Sequence, residues 1–427
     1  MDVKQLLNGI ENCECGRKHL CPIDEIIVKE NAFLELVRLT DGYDRILLVA
    51  DENTYKACGE AVENTLGEKV AATLVYERDG VLVPDEKAIA EMQEMLMLCE
   101  EVSPCTLIVG VGSGVINDLC KYVSFERKLP YYIMATAPSM DGYASKGSAL
   151  ILNGMKVTLT CDVPKAILSD TDVLKDAPFA MIQSGYGDII GKYSCLNDWK
   201  LASVALNEYL CDFIWDSTYA VVEQTVAYAE GLKNRDEKSV GALMEALVAV
   251  GIFMAYVGNS RPASGSEHHL SHYFEIVGVL KKEEYLSHGI DVCYSAIKTA
   301  EIREQLVALE CLDEVENTFD KGAYEREIRR VYGELAEEIF TLQEKVGFYN
   351  VDRVPTYKEK WAEIKAVLKE APTKEKMRAL VENIGLPYES FLSFYGEKKI
   401  ADAVWYAKDL KDRYTVLWLW FDLFFGK

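Results

Sequence analysis

Four of the five histidines of this chain lie between positions 268 and 288. They are His268, His269, His272 and His288. On a helix, His268 and His272 project from one face because they are four residues apart, whereas His269 points to another face. Imidazoles paired in this way favour a site for a catalytic metal. The alternative is an exposed polar helix start whose histidines are solvated or act as caps.

A carboxylate that suits the same metal lies in the segment from Gly185 to Lys192. There Asp188 is predicted to lie near the N-terminus of a helix, where capping alone would explain a carboxylate. Together with two or three neutral imidazoles, one carboxylate forms a ligand set suited to Zn²⁺, Fe²⁺ or Ni²⁺ with one coordination position open. We therefore expect one divalent metal in the second half of the chain.

A second possible ligand set lies near the N-terminus, where Cys13, Cys15, His19 and Cys21 could hold zinc. The Cys-x-Cys spacing is tighter than that of a usual zinc knuckle. A turn that leads into the first strand is the alternative, and the sequence leaves both open. The other cysteines are scattered, and a long chain without a visible secretory signal is expected to keep them as thiols in a reducing cytosol.

A glycine-rich segment, Gly110 to Asp118, lies between a predicted strand and a predicted helix. Glycines at such a turn let the backbone pass close to a phosphate, whose charge then meets free N–H groups and the helix dipole. The expected ligand is a pyrophosphate. The spacing differs from G-x-G-x-x-G and follows the third predicted strand, so a standard dinucleotide fold is not predicted. A tight turn without a ligand is the alternative.

Two further polar segments follow predicted strands. Asp51 ends the first clear strand, where a carboxylate can accept from ribose hydroxyls and would repel a 2′-phosphate. The segment from Thr136 to Ser145 leaves the fourth strand at its carboxyl end, the edge at which open α/β sheets bind ligands. There Ser139 and Asp141 offer a hydroxyl and a carboxylate to a polar substrate, with a structural turn as the alternative.

The elements that must position these residues change in kind along the chain. Helical periodicity at Ala88 to Leu98 among four apolar runs predicts βαβ units and a parallel sheet. The runs are Ile46–Ala50, Ala71–Tyr76, Thr106–Val109 and Tyr131–Thr136. Asn153-Gly154 predicts a hairpin. After about Pro178 helix formers dominate, so we predict an α/β nucleotide-binding domain at 1–177 and an all-helical metal-binding and catalytic domain at 178–427.

Composition limits the partners and the location. A net charge of −23 without a basic run argues against nucleic acid and anionic membranes. The apolar run from Val416 to Phe425 is too short to span a bilayer, so we expect no membrane span. Its aromatic residues predict either a buried terminal helix or an apolar contact surface of a homo-oligomer. A cytoplasmic location is expected.

With these motifs in order, the chain resembles the sn-glycerol-1-phosphate dehydrogenases, within the superfamily of metal-dependent polyol dehydrogenases and dehydroquinate synthases. The similarity runs from about Ile46 to His288. Its most specific stretches are Gly112–Asp118, Thr136–Ser145, Gly187-Asp188 and Arg261–His268. The string Ala-Pro-Ser-Met-Asp-Gly-Tyr-Ala-Ser within the second stretch is especially close to that family. The resemblance implies a dehydroquinate synthase-like fold.

The resemblance also implies roles for individual residues. Asp188, His268 and His288 would be the metal ligands, and His272 would help proton transfer or orient the ligands. Asp141 would touch the substrate hydroxyl. Arg261 is the candidate for part of a phosphate pocket, although a local carboxylate could pair with it instead. The cofactor would be held by Gly112, Ser113, Gly114 and Asp118, with Thr136 and Ser139 nearby and Asp51 at the ribose.

The implied reaction is the reduction of dihydroxyacetone phosphate, a phosphorylated ketone, to sn-glycerol 1-phosphate with NADH or NADPH, a step of phospholipid biosynthesis. One divalent metal, Zn, Ni or Fe, would polarise the carbonyl and stabilise the developing alkoxide. The alternatives are a glycerol or other polyol dehydrogenase of the same fold and a cyclising lyase of the dehydroquinate synthase kind. The helical segment after His288 has no assigned role.

Overall fold

The apolar runs of the first half form a parallel sheet in the computed structural model, which describes residues 3–78, 80–152 and 155–426. Six strands pair in the order β1-β8-β5-β4-β2-β3, all parallel. They are β1 (Glu25–Lys29), β2 (Ile46–Asp51), β3 (Val70–Tyr76), β4 (Leu107–Gly112), β5 (Tyr131–Ala135) and β8 (Ala166–Asp170). The four predicted strands are thus confirmed. Sequence patterning missed β1 and β8, which are short and end in charged residues.

A separate antiparallel hairpin joins β6 (Gly147–Leu152) to β7 (Met155–Thr160). Its pairing agrees with the predicted hairpin, in which Leu152 lies opposite Met155. The predicted Asn153-Gly154 turn lies outside the described residues.

Helices fill the connections between strands and then dominate the chain. Up to the end of the strand region they are α1 (Leu36–Leu39), α2 (Glu52–Thr54), α3 (Glu60–Leu66), α4 (Glu86–Glu100), α5 (Gly114–Arg127) and α6 (Thr171–Asp176). The next are α7 (Phe179–Ile190), α8 (Lys192–Leu206), α9 (Asp212–Ala227), α10 (Ala229–Lys233), α11 (Glu237–Val257), α12 (Ser266–Lys281) and α13 (His288–Val307). The last are α14 (Lys321–Tyr332), α15 (Ala336–Val346), α16 (Val354–Glu370), α17 (Lys374–Asn383), α18 (Tyr388–Tyr406) and α19 (Val416–Phe424).

Packing divides the chain into two units. The first contains Met1–Ile189 and Glu223–Asn259, and the second contains Ile190–Val222 and Ser260–Lys427. The predicted domain boundary lies where strands give way to helices, which occurs after β8. In the folded chain, however, α11 belongs to the same unit as the sheet. The α/β half with a parallel sheet and the helical half are confirmed. The functional domain ranges stay a prediction.

The core of the first unit lies around the sheet. Strands β2 and β4 are buried on both faces, so they consist of nearly unbroken apolar residues. Helix α11 contacts α6 and β1 in the same unit. This helix is long and apolar enough to cross a membrane, but 78% of its most apolar window is buried, as in the core helix of a folded domain.

The second unit is a helical bundle in which α13 packs against α12, α16 and α17. Its core is rich in aromatic rings, among which Phe274 stacks on Tyr395 with centroids 4.0 Å apart. Helix α18 is interrupted at Gly396, whose φ of 72° is left-handed. Helix α19 is predominantly buried, with Trp418 fully inside, which agrees with a buried terminal helix. A homo-oligomer stays a prediction.

Candidate active site and metal ligands

The glycine turn joins the carboxyl end of β4 to the N-terminus of α5. A Cβ on Gly112 would lie 2.5 Å from the side chain of Ile116, so glycine is required here by the close packing of strand and helix. A Cβ on Gly114 would meet nothing nearer than Met140 at 3.6 Å. Ser113 precedes the first helical residue, and α5 is 14 residues long. The free N–H groups of this helix start can bind a pyrophosphate.

The polar loop after β5 begins beside that turn, because the Thr136 N–H donates to the Gly112 carbonyl at 3.1 Å. Within the loop, the Tyr143 hydroxyl donates to the Ala137 carbonyl at 2.7 Å. The Ser184 hydroxyl of α7 donates to the Ser139 carbonyl at 3.1 Å. The loop is therefore fixed through its backbone carbonyls. Its side chains at Ser139 and Asp141 are each only 9% exposed.

Two glycines that the sequence analysis did not single out hold this loop in place. A Cβ on Gly185 of α7 would lie 1.8 Å from the Pro138 carbonyl oxygen. A Cβ on Gly251 of α11 would lie 2.8 Å from the Asp141 carbonyl oxygen. Both contacts are to backbone, which cannot move as a flexible side chain can. Each helix therefore approaches the loop at a distance that only glycine permits.

Lys121 is a further residue that sequence reasoning missed. It lies on α5, is completely buried, and donates to the carbonyls of Gly142 and Gly147 at 2.8 Å each. Its ammonium is 3.8 Å from Asp118. Burial lowers the pKa of Lys121 below its ordinary value, and Asp118 opposes that shift. Lys121 thus connects α5 to the end of the loop after β5. The signal in the sequence was a lysine on the apolar side of a predicted helix.

Asp51 acts as the N-cap of α2. Its Oδ1 accepts from the N–H groups of Asn53 and Thr54 at 2.9 Å each, and the Thr54 hydroxyl accepts from the Asp51 N–H at 3.0 Å. This is a capping box, which explains the carboxylate locally. A carboxylate has further lone pairs, so the predicted contact with a ribose stays a prediction.

Asp188 lies in the last turn of α7, and the sequence prediction that it lies near a helix N-terminus was wrong. The apolar period of α7 begins earlier, at Phe179, than the glycines of this segment suggested. Asp188 is completely buried, and its Oδ2 accepts from the Asp141 N–H at 3.0 Å. The carboxylate is therefore held by the loop that carries the predicted substrate-binding residue.

Three imidazoles lie together at the starts of α12 and α13. The ring centroids of His268 and His288 are 5.0 Å apart, and His272 lies 6.1 Å from the first and 5.5 Å from the second. His288 is the first residue of α13 and His268 the third of α12. Both of these rings therefore lie in the first turn of their helices.

The ring nitrogens of two histidines are oriented by neighbouring oxygens. His268 Nδ1 is 2.7 Å from Glu267 Oε1, which also accepts from the Gly265 N–H. His288 Nδ1 is 3.3 Å from the Ser271 hydroxyl. Burial raises the pKa of Glu267, but the hydrogen bond with His268 and the Gly265 N–H outweigh it, so the pKa is lowered. With Nδ1 engaged, each ring presents Nε2 as its ligand atom.

A buried ionic network fixes the start of α12. Asp198 of α8 accepts from the Ser266 N–H at 2.6 Å through Oδ2. Its Oδ1 accepts from Arg303 at 2.8 Å and from the Val416 N–H at 2.9 Å. Arg303 and Asp198 are 3% and 0% exposed. The start of α12 is therefore fixed by the side chains of Asp198 and Arg303 and by the Val416 N–H, which come from three other segments.

His269 lies in a different environment from the other three imidazoles. It is completely buried, and burial, followed by Arg413, Lys411 and Arg261, holds its pKa well below the ordinary value. A histidine that stays neutral in this surrounding is a core residue, which agrees with its omission from the predicted site.

Arg261 is buried and forms a two-pronged ion pair with Glu208. Its Nε donates to Glu208 Oε1 at 2.6 Å. The sequence analysis named a local carboxylate as the alternative partner of this arginine, and the structure contains that pair. A role in binding the substrate phosphate stays a prediction.

The predicted metal ligands come from both units, with Asp188 in the first and His268 and His288 in the second. By their chemistry these residues fit a catalytic divalent metal, because one carboxylate and two oriented imidazoles leave a coordination position open.

Comparison with known proteins places the chain among metal-dependent dehydrogenases. Residues 26–178 match the iron-containing alcohol dehydrogenase family. The chain is 31% identical to the NAD(P)⁺-linked glycerol-1-phosphate dehydrogenase of Geobacillus thermodenitrificans over 88% of this chain and 86% of the relative. It is 33% identical to that of Bacillus velezensis over 71% of this chain and 78% of the relative.

Solved structures confirm the fold. An archaeal alcohol dehydrogenase from a Red Sea brine pool superposes with a TM-score of 0.56 at 14% identity, over 93% of this chain and 99% of the other. A glycerol dehydrogenase from Schizosaccharomyces pombe superposes with a TM-score of 0.52 at 16% identity, over 93% and 90%. At these identities the likeness concerns the fold alone.

Proposed function

We propose that this chain, which belongs to the glycerol-1-phosphate dehydrogenase family, reduces dihydroxyacetone phosphate to sn-glycerol 1-phosphate with NADH or NADPH. The observation that carries the proposal is the identity of 31% to a curated member over 88% of the chain. The oriented imidazoles of His268 and His288 support it, because they can hold a divalent metal. The reaction needs such an electrophile at the ketone oxygen.

Asp188, His268 and His288 would hold the divalent metal, and Gly112, Ser113 and Gly114 the cofactor pyrophosphate. A bound divalent cation supplies Lewis-acid polarisation of the ketone, and a bound nicotinamide supplies the hydride. Whether the metal is Zn, Ni or Fe depends on availability as well as on the ligands. Asp118, Thr136 and Ser139 belong to the proposed cofactor side, since their segments meet at the ends of β4 and β5.

Reduction of the ketone consumes one proton together with the hydride. His272 is our candidate for delivering that proton, because its ring lies 5.5 Å from that of His288 and is half-buried, so solvent can reprotonate it. Asp141 would accept from a substrate hydroxyl and so orient the carbonyl. Its backbone N–H already fixes Asp188, so substrate orientation and metal ligation would share one loop.

The test is a substrate comparison with metal-loaded protein. Dihydroxyacetone phosphate should be reduced with a kcat/KM about 10²-fold above that of dihydroxyacetone, since two charge-assisted hydrogen bonds to phosphate supply about 3 kcal/mol. The product should not be oxidised by an enzyme specific for sn-glycerol 3-phosphate. Equal use of both ketones would indicate a glycerol dehydrogenase. Turnover of a substrate without net oxidation of NADH would indicate a cyclising lyase.

Arg261 tests the proposed phosphate pocket. If it binds the phosphate, Arg261→Ala narrows the difference between the two ketones while the bound metal stays stoichiometric. Glu208→Gln is the matched control, because it weakens the ion pair and keeps the guanidinium. Loss of metal in Arg261→Ala, with the same loss in Glu208→Gln, would assign the pair a structural role. The cytoplasmic location and the link to phospholipid synthesis stay predictions of the sequence.

A further inference from the structure

A loop of residues 282–287 connects the two helices of the second unit that carry the predicted histidine ligands. Helix α12, with His268 in its first turn, ends at Lys281, and α13 begins with His288. The Ser271 hydroxyl of α12 lies 3.3 Å from both Nδ1 and the carbonyl oxygen of His288. Both distances are long for hydrogen bonds from a hydroxyl. The position of His288 therefore depends also on how the loop before it is held.

Tyr395 of α18 holds the end of this loop through its hydroxyl. The hydroxyl accepts from the Leu286 N–H at 2.9 Å, two residues before His288. It donates to the carboxylate of Asp291, whose two oxygens are each 2.9 Å away. Burial and the charge of Asp291 raise the pKa of Tyr395 above its ordinary value, so the hydroxyl keeps its proton for this contact. One hydroxyl thus joins the loop to the first turn of α13, on both sides of His288.

The ring of Tyr395 is fixed against the other histidine helix. It stacks on Phe274 of α12, with ring centroids 4.0 Å apart and 13° between the planes. The Asp291 carboxylate below the hydroxyl is only 1% exposed, and a buried carboxylate is costly without a donor. Helix α18 contacts the loop a second time, since Lys399 Nζ is 2.8 Å from the Glu283 carboxylate. One side chain therefore touches α12 through its ring and the start of α13 through its hydroxyl.

We propose that Tyr395 is a positioning residue that fixes His288 relative to His268 for metal binding. The inference rests on the proposed function, in which both imidazoles are metal ligands. Metal–ligand distances tolerate errors of only about 0.2 Å, so a loop that moved freely would weaken binding. Residues that orient metal ligands matter nearly as much as the ligands themselves. This role accounts for part of the helical segment after His288, to which the sequence assigned none.

The test measures binding of Co²⁺ to the full-length protein after its metal has been removed. Tyr395→Phe keeps the ring stack and removes the hydroxyl that Leu286 and Asp291 share. Its Kd for Co²⁺ should rise about 10-fold, as is usual when a residue that orients a ligand is lost. Tyr406→Phe is the matched control and should bind Co²⁺ as the wild type does. Tyr406 lies on the same helix, is 6% exposed, and its hydroxyl is 3.4 Å from Glu327 of α14.

A spectroscopic readout separates positioning from a purely structural role. The visible d–d bands of protein saturated with Co²⁺ report ligand geometry, and they should shift in Tyr395→Phe. Loss of thermal stability alone, with unchanged Kd and bands, would overturn the inference. His268→Ala is measured in parallel. If it loses Co²⁺ while Tyr395→Phe binds normally, only this inference fails. If both variants bind Co²⁺ normally, the proposed ligands fail as well.

A second measurement, on the wild type, covers the case in which Tyr395→Phe does not fold. Coupling is reciprocal, so a contact that favours metal binding is itself stabilised by the bound metal. Co²⁺ should therefore slow amide hydrogen exchange about 10-fold in residues 282–287 and in residues 388–395 of α18. Exchange in α14 should not change. Slower exchange in the loop without any change in residues 388–395 would overturn the inference.

Discussion

The two units prepare their functional groups by different means. In the sheet unit, the glycine turn before α5 and the loop after β5 are held by close backbone approaches at Gly112, Gly185 and Gly251. In the helical unit, the histidines are held by side chains, through the contact of Glu267 with His268 and the buried pair of Asp198 and Arg303. The sheet unit depends on glycines, which have no side chain, whereas the helical unit depends on side chains that pair with one another.

This difference teaches where each unit is sensitive. A loop that is held by close backbone contacts is destabilised when a side chain is added at one of its glycine contacts, because a well-packed interior cannot expand without strain. A helix start that is held by a buried ion pair is destabilised when one member of the pair is removed, because the other member is left as an unpaired buried charge. Substitutions should therefore fail for opposite reasons in the two units, and the predictions below test that contrast.

The largest effect is expected for His268→Ala. Because Lewis-acid stabilisation is worth several kcal/mol, loss of this ligand should lower kcat/KM by at least about 10³-fold and remove the bound metal. Binding of NADH, which we assign to the sheet unit, should persist. Elemental analysis, turnover and nucleotide fluorescence measure the three quantities. His272→Ala is the control and should keep the metal while losing turnover. Stoichiometric metal and full activity in His268→Ala would refute the ligand assignment.

The next effect concerns the buried ionic network. Asp198→Asn should lower the free energy of unfolding by about 3 kcal/mol, because Arg303 then lies buried without a counter-ion. The matched control is Asp402→Asn, which removes an ion pair with Arg330, a residue that is 39% exposed. There the loss should be at most about 1 kcal/mol. Urea denaturation measures both. Equal losses would show that burial does not set the importance of these pairs.

A smaller effect is expected from added volume in the sheet unit. Gly185→Ala places a Cβ 1.8 Å from the Pro138 carbonyl oxygen, so the loop after β5, which we propose binds the substrate, must move. The cost should be about 1–3 kcal/mol, with a raised KM for the ketone. Gly114→Ala is the control, since its nearest neighbour would be 3.6 Å away. It should fold normally and raise only the KM for cofactor. Normal KM values in Gly185→Ala would argue against the claim that close backbone contacts hold this loop in place.

The smallest effect concerns the choice of cofactor. Asp51→Asn keeps the N-cap of α2, because asparagine caps as well as aspartate, but removes the charge. If Asp51 faces the ribose, NADPH should gain relative to NADH by about fivefold in kcat/KM, which corresponds to about 1 kcal/mol of relieved repulsion. Kinetics with both cofactors measure the ratio. An unchanged ratio together with unchanged stability would leave Asp51 as a cap alone.

Much of the fold could be predicted from local patterns. The run from Ile46 to Ala50 is apolar without interruption because β2 is covered on both faces. The hairpin and the helical second half followed from turn residues and periodicity in the same way. Strand β1 could not be found so easily, since its five residues include Glu25 and Lys29 at the ends. Short edge strands carry too few apolar residues to show a period.

The candidate site divides in the same manner. The sequence by itself determined which functional groups are available. They are the glycine turn before α5, the paired imidazoles of α12, and the carboxylate of Asp188. These depend on residue type and on spacings of a few positions, which local helix and strand geometry fixes.

Only the tertiary structure decided how distant segments combine. It placed Asp188 at the end of its helix, paired Arg261 with Glu208, and buried Lys121 against the loop after β5. Such combinations depend on which buried surfaces pack together. Packing is a property of the whole folded chain, because each contact is stabilised only when all the elements around it are in place.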